Sequence, residues 1–300
     1  MKSNARMASF LLLCLLSAWG CRRAGGAGTA APPLNPGDKS YPLVGQIVSV
    51  DSARHMLLVQ HQAVEGLMPG MTMEFAASPG DIATAKPGEH IRAQLVRSAK
   101  GDFRLEQIWP DDRVGDATVA AASDALRQDT LIRGKSAYRE VGEALPDFAL
   151  YDQDGRVVQS RRFRGQQIML NFIYTRCPVA TMCPAATLNM MATQKLAREA
   201  GIKNIQFVSI TLDPVNDTPG VLKDYADVRG IDTSNFSFLT GPEAAIKDLL
   251  TQFGVIAEFD GSLVKHTLTT LLIDEKGKII HRVDGSAWSP ADFVAKMHRA

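Results

Sequence analysis

The chain has 300 residues, a formal net charge of +1, and 45% hydrophobic against 22% charged residues. That balance is ordinary for globular protein, and the length predicts about two domains. Near-neutrality excludes the basic field that nucleic-acid binding requires, and four cysteines are too few for a scaffold held by several disulfides.

In chain order, Lys2 and Arg6 precede an apolar run from Phe10 to Leu16, followed by "SAWGC" at 17–21. A charged start and a short apolar run that cannot span a bilayer predict a secretion signal over 1–21. Gly20–Cys21 resembles a bacterial lipoprotein cleavage site, so Cys21 is expected to carry a lipid anchor. Cys14 then leaves with the signal, and the mature protein keeps only Cys177 and Cys183. Residues 22–40, rich in Gly, Ala and Pro, predict a flexible tether. Over 41–110, runs at 44–50, 55–61, 71–75, 91–97 and 103–109 read as strands separated by turn chemistry such as "KPGE" and "AKGD". Five short strands in so little chain predict a small all-β, OB-like barrel. Residues 111–142 predict a partly helical connector.

From residue 143 to 300 the pattern alternates. "QIMLNFIY" and "IQFVSITL" are apolar runs of the kind buried on both faces of a sheet, with helices expected at 184–200, 219–229 and 242–253. A strand–turn–strand in "TLTTLLIDEKGKIIHRV" and a last helix opened by Ser289 and Pro290 complete an α/β thioredoxin-like order. Cys177 follows the first of these strands after a short gap, and Cys183 directly precedes Pro184, so Cys183 is expected to cap a helix with a lowered thiol pKa. Five residues separate the two cysteines, and that spacing on a helix would point them to opposite faces, so "PVATM" must loop out. The pair alone fits a redox disulfide or a metal site. His266, in "LVKHTLTTLLID", is the candidate third ligand. Two thiolates and one imidazole suit Cu(I), and the imidazole also serves Cu(II).

Residues 143–299 resemble the Sco/SenC proteins, copper-handling thioredoxin-fold proteins of cytochrome oxidase assembly. "LPDFALYDQDGR", "YTRCP…CP", "SITLDPVNDTP" and "KHTLTTLLIDEKGKII" carry the resemblance. It implies Cys177, Cys183 and His266 as copper ligands and a Cys177–Cys183 redox disulfide. The chain departs from the family pattern in the cysteine loop, which has five residues where three are usual.

In the first domain, "HQAVEGLMPGMTMEF" places Met71, Met73 and Phe75 on one strand face. Such a face commonly fills a barrel core, but His61 and Met68 beside it make a set that prefers Cu(I). The stretch from about 42 to 109 is similar to the CusF-like periplasmic copper-binding barrels. That resemblance implies His61, Met71 and Met73 as ligands, with Met68 standing where the family has a tryptophan over the metal. His55, His90, His281 and His298 are expected at the surface.

The leading expectation is a copper metallochaperone, lipid-anchored at the periplasmic face of a bacterial membrane. It would deliver copper to a cytochrome oxidase subunit bearing a copper centre. The alternative is a thiol–disulfide oxidoreductase in which Cys177 attacks and Cys183 resolves, recharged by a periplasmic thiol reductant. A thiol peroxidase fits less well, because Thr175 stands two residues before Cys177 rather than three.

Overall fold

The computed structural model describes residues 34–134, 137–260 and 263–298. The expected signal, Cys14, the expected lipidation site Cys21 and most of the expected tether lie outside the described residues.

Five strands close a barrel: β1 (Lys39–Asp51), β2 (Met56–His61), β3 (Met71–Ala76), β4 (His90–Arg97) and β5 (Phe103–Pro110), in the order β1-β2-β3-β5-β4. Leu57, Val59 and His61 alternate with exposed or half-buried neighbours on β2, so period two drives their side chains inward. Leu57 and Val59 meet Leu43, Ile47, Phe75 and Leu95 in the barrel core, and the His61 ring lies 5.7 Å from that of Phe75. A short helix, α1 (Pro79–Thr84), follows β3 and is capped by Ser78, whose hydroxyl accepts from the Asp81 amide at 3.1 Å.

The connector is a long helix, α2 (Arg113–Arg133), opened by Asp112, whose carboxylate accepts from the amides of Val114 and Gly115. Val119 and Leu126 are buried on its inner face, and Asp116 joins Arg92 of the barrel, at 2.8 Å, to Tyr151 of the second half. α2 is thus packed structure rather than a loose linker.

The second half is a seven-stranded sheet in the order β14-β13-β8-β9-β10-β6-β7. Its strands are β6 (Ala149–Asp152), β7 (Val157–Gln159), β8 (Gln167–Ile173), β9 (Ile205–Thr211), β10 (Phe236–Thr240), β13 (Thr269–Ile273) and β14 (Ile279–Asp284). β8, β9 and β10 are parallel and the outer strands antiparallel. Every residue of β8 is buried, which explains its nearly continuous apolar run, interrupted only by Asn171 after the opening Gln167. Helices α3 (Cys183–Glu199), α4 (Pro219–Val228), α5 (Glu243–Phe253) and α6 (Pro290–Lys296) accompany the sheet. One element lies outside the order expected from the sequence. β11 (Ala257–Asp260) and β12 (Leu263–His266) form a separate two-stranded ribbon, and His266 ends it instead of opening the last hairpin.

The barrel docks on the second half through two glycines. A Cβ on Gly80 of α1 would lie 2.0 Å from the Gly220 carbonyl oxygen, and one on Gly220 of α4 would lie 2.0 Å from Asp81 Oδ1. No side chain larger than hydrogen fits this crossing. Beside it, Gln107 Nε2 donates to the Val215 carbonyl at 2.9 Å. Gln107 sits in the left-handed region with φ of 51°, at an irregularity in the β4–β5 ladder that aims its side chain across the interface.

Candidate metal centre

β8 ends at Ile173, and the chain leaves the sheet's carboxyl edge as a loop that reaches α3 at Cys183. Pro178 and Pro184 bracket the excursion, and Met182 N–H donates back to the Val179 carbonyl at 2.9 Å, so the intervening residues turn out of the helical path as the spacing required. Cys177 is half-buried, Cys183 is fully buried, and both thiols are free. Cys177 Sγ, Cys183 Sγ and a ring nitrogen of His266 all lie within 4.8 Å of one another. Metal bonds of roughly 2.0–2.3 Å bring such a triad onto one ion with a small closing movement.

The expected N-cap role of Cys183 is corrected. Met182 occupies the cap and Cys183 is the first helical residue. Its thiol pKa is raised, not lowered: burial dominates, a backbone hydrogen bond at Tyr174 works the other way, and neighbouring Cys177 raises it further. Position at a helix start lowers a thiol pKa, but loss of water outweighs that here. A metal cation is the partner that would let this sulfur ionise.

His266 is set for ligation by its backbone. Its Nδ1 lies 3.1 Å from the Thr267 carbonyl, which can only accept, so the ring proton sits on Nδ1. Nε2 therefore keeps its lone pair, and that atom stands 3.4 Å from Cys183 Sγ. Burial lowers the His266 pKa, opposed by the Thr267 hydrogen bond, which favours the neutral ligand form. The Tyr174 ring meets the imidazole edge-on, with centroids 5.4 Å apart.

The loop 212–218 braces the cysteine loop, a role the sequence reading left unassigned. Asp217 is fully buried and accepts from Thr175 N–H at 3.1 Å, Thr175 Oγ1 at 2.5 Å and Thr211 Oγ1 at 2.6 Å. Burial pushes its pKa up to about 6. Asp213, also fully buried, pairs with Arg176 at 2.7 Å and accepts from Asn216. Thr218 occupies the N-cap of α4 without a side-chain cap bond. Two acids flanking a tight turn, and a threonine beside the cysteine, were the available signals.

In the barrel, His61 faces Met71 directly across the β2–β3 ladder, and Met73 faces Val59. His61, Met71, Met73 and Phe75 thus share one sheet face. Burial falls along that face from Phe75, fully buried, through half-buried Met73 to Met71, which is 43% exposed. The methionines therefore line the open end instead of filling the core. His61 is buried, its Nδ1 lies 2.6 Å from the Gln62 carbonyl, and Nε2 is buried with no hydrogen-bond partner. The same tautomer logic leaves Nε2 with a free lone pair. Met68 bridges to Val64 in the β2–β3 loop and packs partly buried against the barrel core. Of the remaining histidines, His55, His90 and His298 are exposed, while His281 is half-buried with its ring 5.0 Å from that of Phe293.

A family model described as SCO1/SenC matches residues 136–300. The chain belongs to the SCO1/SenC family. A SCO2-like protein of Rickettsia typhi is 34% identical over 164 residues, covering 52% of this chain and 76% of the relative. A crystal structure of a SCO1/SenC family lipoprotein from Bacillus anthracis is 29% identical, covering 53% of this chain and 96% of that one, with a TM-score of 0.48. A solved structure of BsSco, described as a member of the Sco family of cytochrome c oxidase assembly proteins, is 27% identical, covers 53% and 93%, and has a TM-score of 0.47. A second family model, described as the copper binding periplasmic protein CusF, matches residues 40–110. This SCO1/SenC member is thus preceded by a CusF-like barrel. With a soft donor set in each half, the matches identify copper as its metal.

Proposed function

We propose that this protein is an exported copper metallochaperone with two sites. In the barrel, His61 Nε2 and the thioethers of Met71 and Met73 take Cu(I), with Met68 over or on the metal. In the second half, Cys177, Cys183 and His266 hold copper, as Cu(I) or Cu(II), for delivery to a copper centre of a respiratory cytochrome oxidase. Family membership supports the link to cytochrome oxidase assembly. The observation that carries the reading is the convergence of two sulfurs and a lone-pair-bearing Nε2 within 4.8 Å. Thiol exchange does not need that nitrogen, whereas a three-donor copper site does. One chain bearing both sites raises the effective concentration of each for the other.

The periplasm-facing, lipid-anchored location follows the expected signal and Cys21. The periplasmic CusF description of the barrel's family model supports the periplasmic part of this reading. Among the described residues no helix is long and apolar enough to cross a membrane.

The test is a Cu(I) titration of the reduced full chain against a chromophoric chelator. Two Cu(I) per chain are expected. Cys177→Ser or Cys183→Ser should remove one, and His266→Ala should weaken that site and abolish its Cu(II) spectrum. If His266→Ala leaves both oxidation states bound as before, the metallochaperone reading of this site fails.

The second reading rests on the unequal burial of the two thiols, Cys177 half-buried and Cys183 fully buried. Cys177 thiolate would attack a partner disulfide, forming a mixed disulfide and releasing one partner thiolate. Cys183 thiolate would then attack Cys177 sulfur, releasing the second partner thiolate and closing the Cys177–Cys183 disulfide. Two electrons pass to the partner, and a periplasmic thiol reductant must return them. The raised pKa of Cys183 slows the resolving step and favours the first reading.

A further inference from the structure

The cysteine loop is longer than its family pattern, and almost nothing apolar holds it. Pro178, Val179, Ala180 and Thr181 are exposed, so burial does not fix their conformation. A longer, solvated loop has more conformations to lose when its ends are held in register. Yet the sulfurs at its two ends must face one nitrogen on a different element.

A short strap, residues 285–288, lies between β14 and α6 and touches the cysteine loop, α3 and the segment just after His266. Ser286 Oγ donates to the Thr181 carbonyl of the loop at 2.5 Å. Asn189, in the second turn of α3, donates through Nδ2 to the carbonyls of Ser286 at 3.1 Å and Trp288 at 3.2 Å. Gly285 N–H donates to the carbonyl of Leu268, two residues beyond His266, at 2.7 Å. Gly285 has a φ of 89°, a conformation that admits glycine and strains other residues. Trp288 anchors the strap from below, its ring 4.8 Å from that of Phe293 and packed against the core.

We infer that the 285–288 strap is the clamp of the expanded loop, with Ser286 and Asn189 as positioning residues for the Cys177–Cys183–His266 triad. This rests on the copper reading of that site. Ser286 fixes the loop just before Cys183, Asn189 fixes Ser286 to the helix that Cys183 begins, and Gly285 ties both to the histidine's segment. A loop with two fewer residues spans the same gap with less freedom and has no need of the Ser286 contact. The clamp is therefore a property of this loop length.

The experiment is a double-mutant cycle in the full reduced chain, crossing Ser286→Ala with deletion of Val179 and Ala180. Site affinity is read by competition for Cu(I) buffered with bicinchoninate. In the parent loop, Ser286→Ala is expected to weaken Cu(I) binding at the thiolate site by about three- to tenfold, the worth of one hydrogen bond. Ser286→Thr, which keeps the hydroxyl, should restore it. The thiolate-to-Cu(II) charge-transfer band should broaden or shift in Ser286→Ala and return in Ser286→Thr, while the thermal unfolding midpoint stays close to the parent's. In the shortened loop, Ser286→Ala should change nothing. Equal losses in both loops, or none in the parent, overturn the clamp. Should the shortened loop fail to fold, Asn189→Ala with Ser286→Ala replaces it. Residues acting through one strap lose together no more than the larger single loss, and full additivity overturns the idea. A readout without metal separates this inference from the copper reading. The Cys177–Cys183 dithiol–disulfide equilibrium against a dithiothreitol buffer should shift in Ser286→Ala and recover in Ser286→Thr, whether or not copper binds. No shift there overturns the clamp on its own. A shift with no Cu(I) uptake by the parent retains the clamp as a loop brace and sinks the copper reading alone.

Discussion

Replacing Gly220 with alanine should separate the barrel from the second half while leaving both folded. The added Cβ would stand 2.0 Å from Asp81 Oδ1, 2.6 Å from Asp81 Cγ and 2.9 Å from the Asp81 backbone nitrogen. Turning the Asp81 side chain about its Cα–Cβ bond relieves the first two contacts, but the third is to backbone and can be relieved only by moving α1 away from α4. Overpacking of this kind costs about 1–3 kcal/mol, and a contact to backbone belongs at the upper end. The Gln107–Val215 hydrogen bond spans the same interface and stretches with it, adding about 1 kcal/mol. A loss of about 4 kcal/mol lowers the docked-to-undocked ratio by roughly 10³. Helix α4 itself gains, since alanine replaces glycine within it. The assay is amide hydrogen exchange over α1, α4 and β8, together with the radius of gyration from solution scattering. Faster exchange in α1 and the first turn of α4, a larger radius and unchanged protection in β8 are expected. Parent-like exchange in α1 with an unchanged radius would refute the argument that the two glycines close this interface.

The same interface should respond to pH. Asp81 is buried there with its pKa raised to about 6, chiefly by burial and further by Asp224, so docking is favoured while the group is protonated. Its contribution is complete below the ordinary carboxyl range near pH 4 and is lost as pH rises through 6. Exchange in α1 should accelerate across that window, and Asp81→Asn should flatten the response. Asp217→Ala removes the acceptor of three hydrogen bonds in a fully buried site. Stranded buried donors cost about 1–3 kcal/mol each before relaxation, so urea denaturation should show a loss of at least about 2 kcal/mol. A loss below about 0.5 kcal/mol means that water or a shifted side chain takes over the brace. In the barrel, Met71→Leu with Met73→Leu preserves apolar volume and should cost less than about 1.5 kcal/mol in stability. Ag(I) binding to the barrel, followed by calorimetry on the full chain with Cys177 and Cys183 changed to serine, should nevertheless be lost. Retained binding would make the two methionines packing only.

What could be read from the chain, and what could not, follows from which forces leave marks in one dimension. Alternation marks a half-buried strand, so β2 and the Met71–Met73–Phe75 face were legible. Largely apolar runs mark β8 and β9. The need for a loop at "PVATM" was legible because the cysteine spacing defeats a helix and two prolines bracket it. Donor types were legible because thiolate, imidazole and thioether chemistry belongs to the residue itself. Burial depth was not, and it reversed the expected pKa of Cys183: the helix start is written in Pro184, but the water excluded from that sulfur depends on distant strands. The docking glycines carried no signal either, since Gly80 and Gly220 in isolation look like poor helix formers, and their use appears only when two backbones meet. The strap is the extreme case. Ser286 and Asn189 both donate to backbone carbonyls, and every residue in the chain offers a carbonyl. A contact whose acceptor has no identity leaves no motif, so the candidate donors of this site could be named from the sequence while the residues inferred to aim them could not.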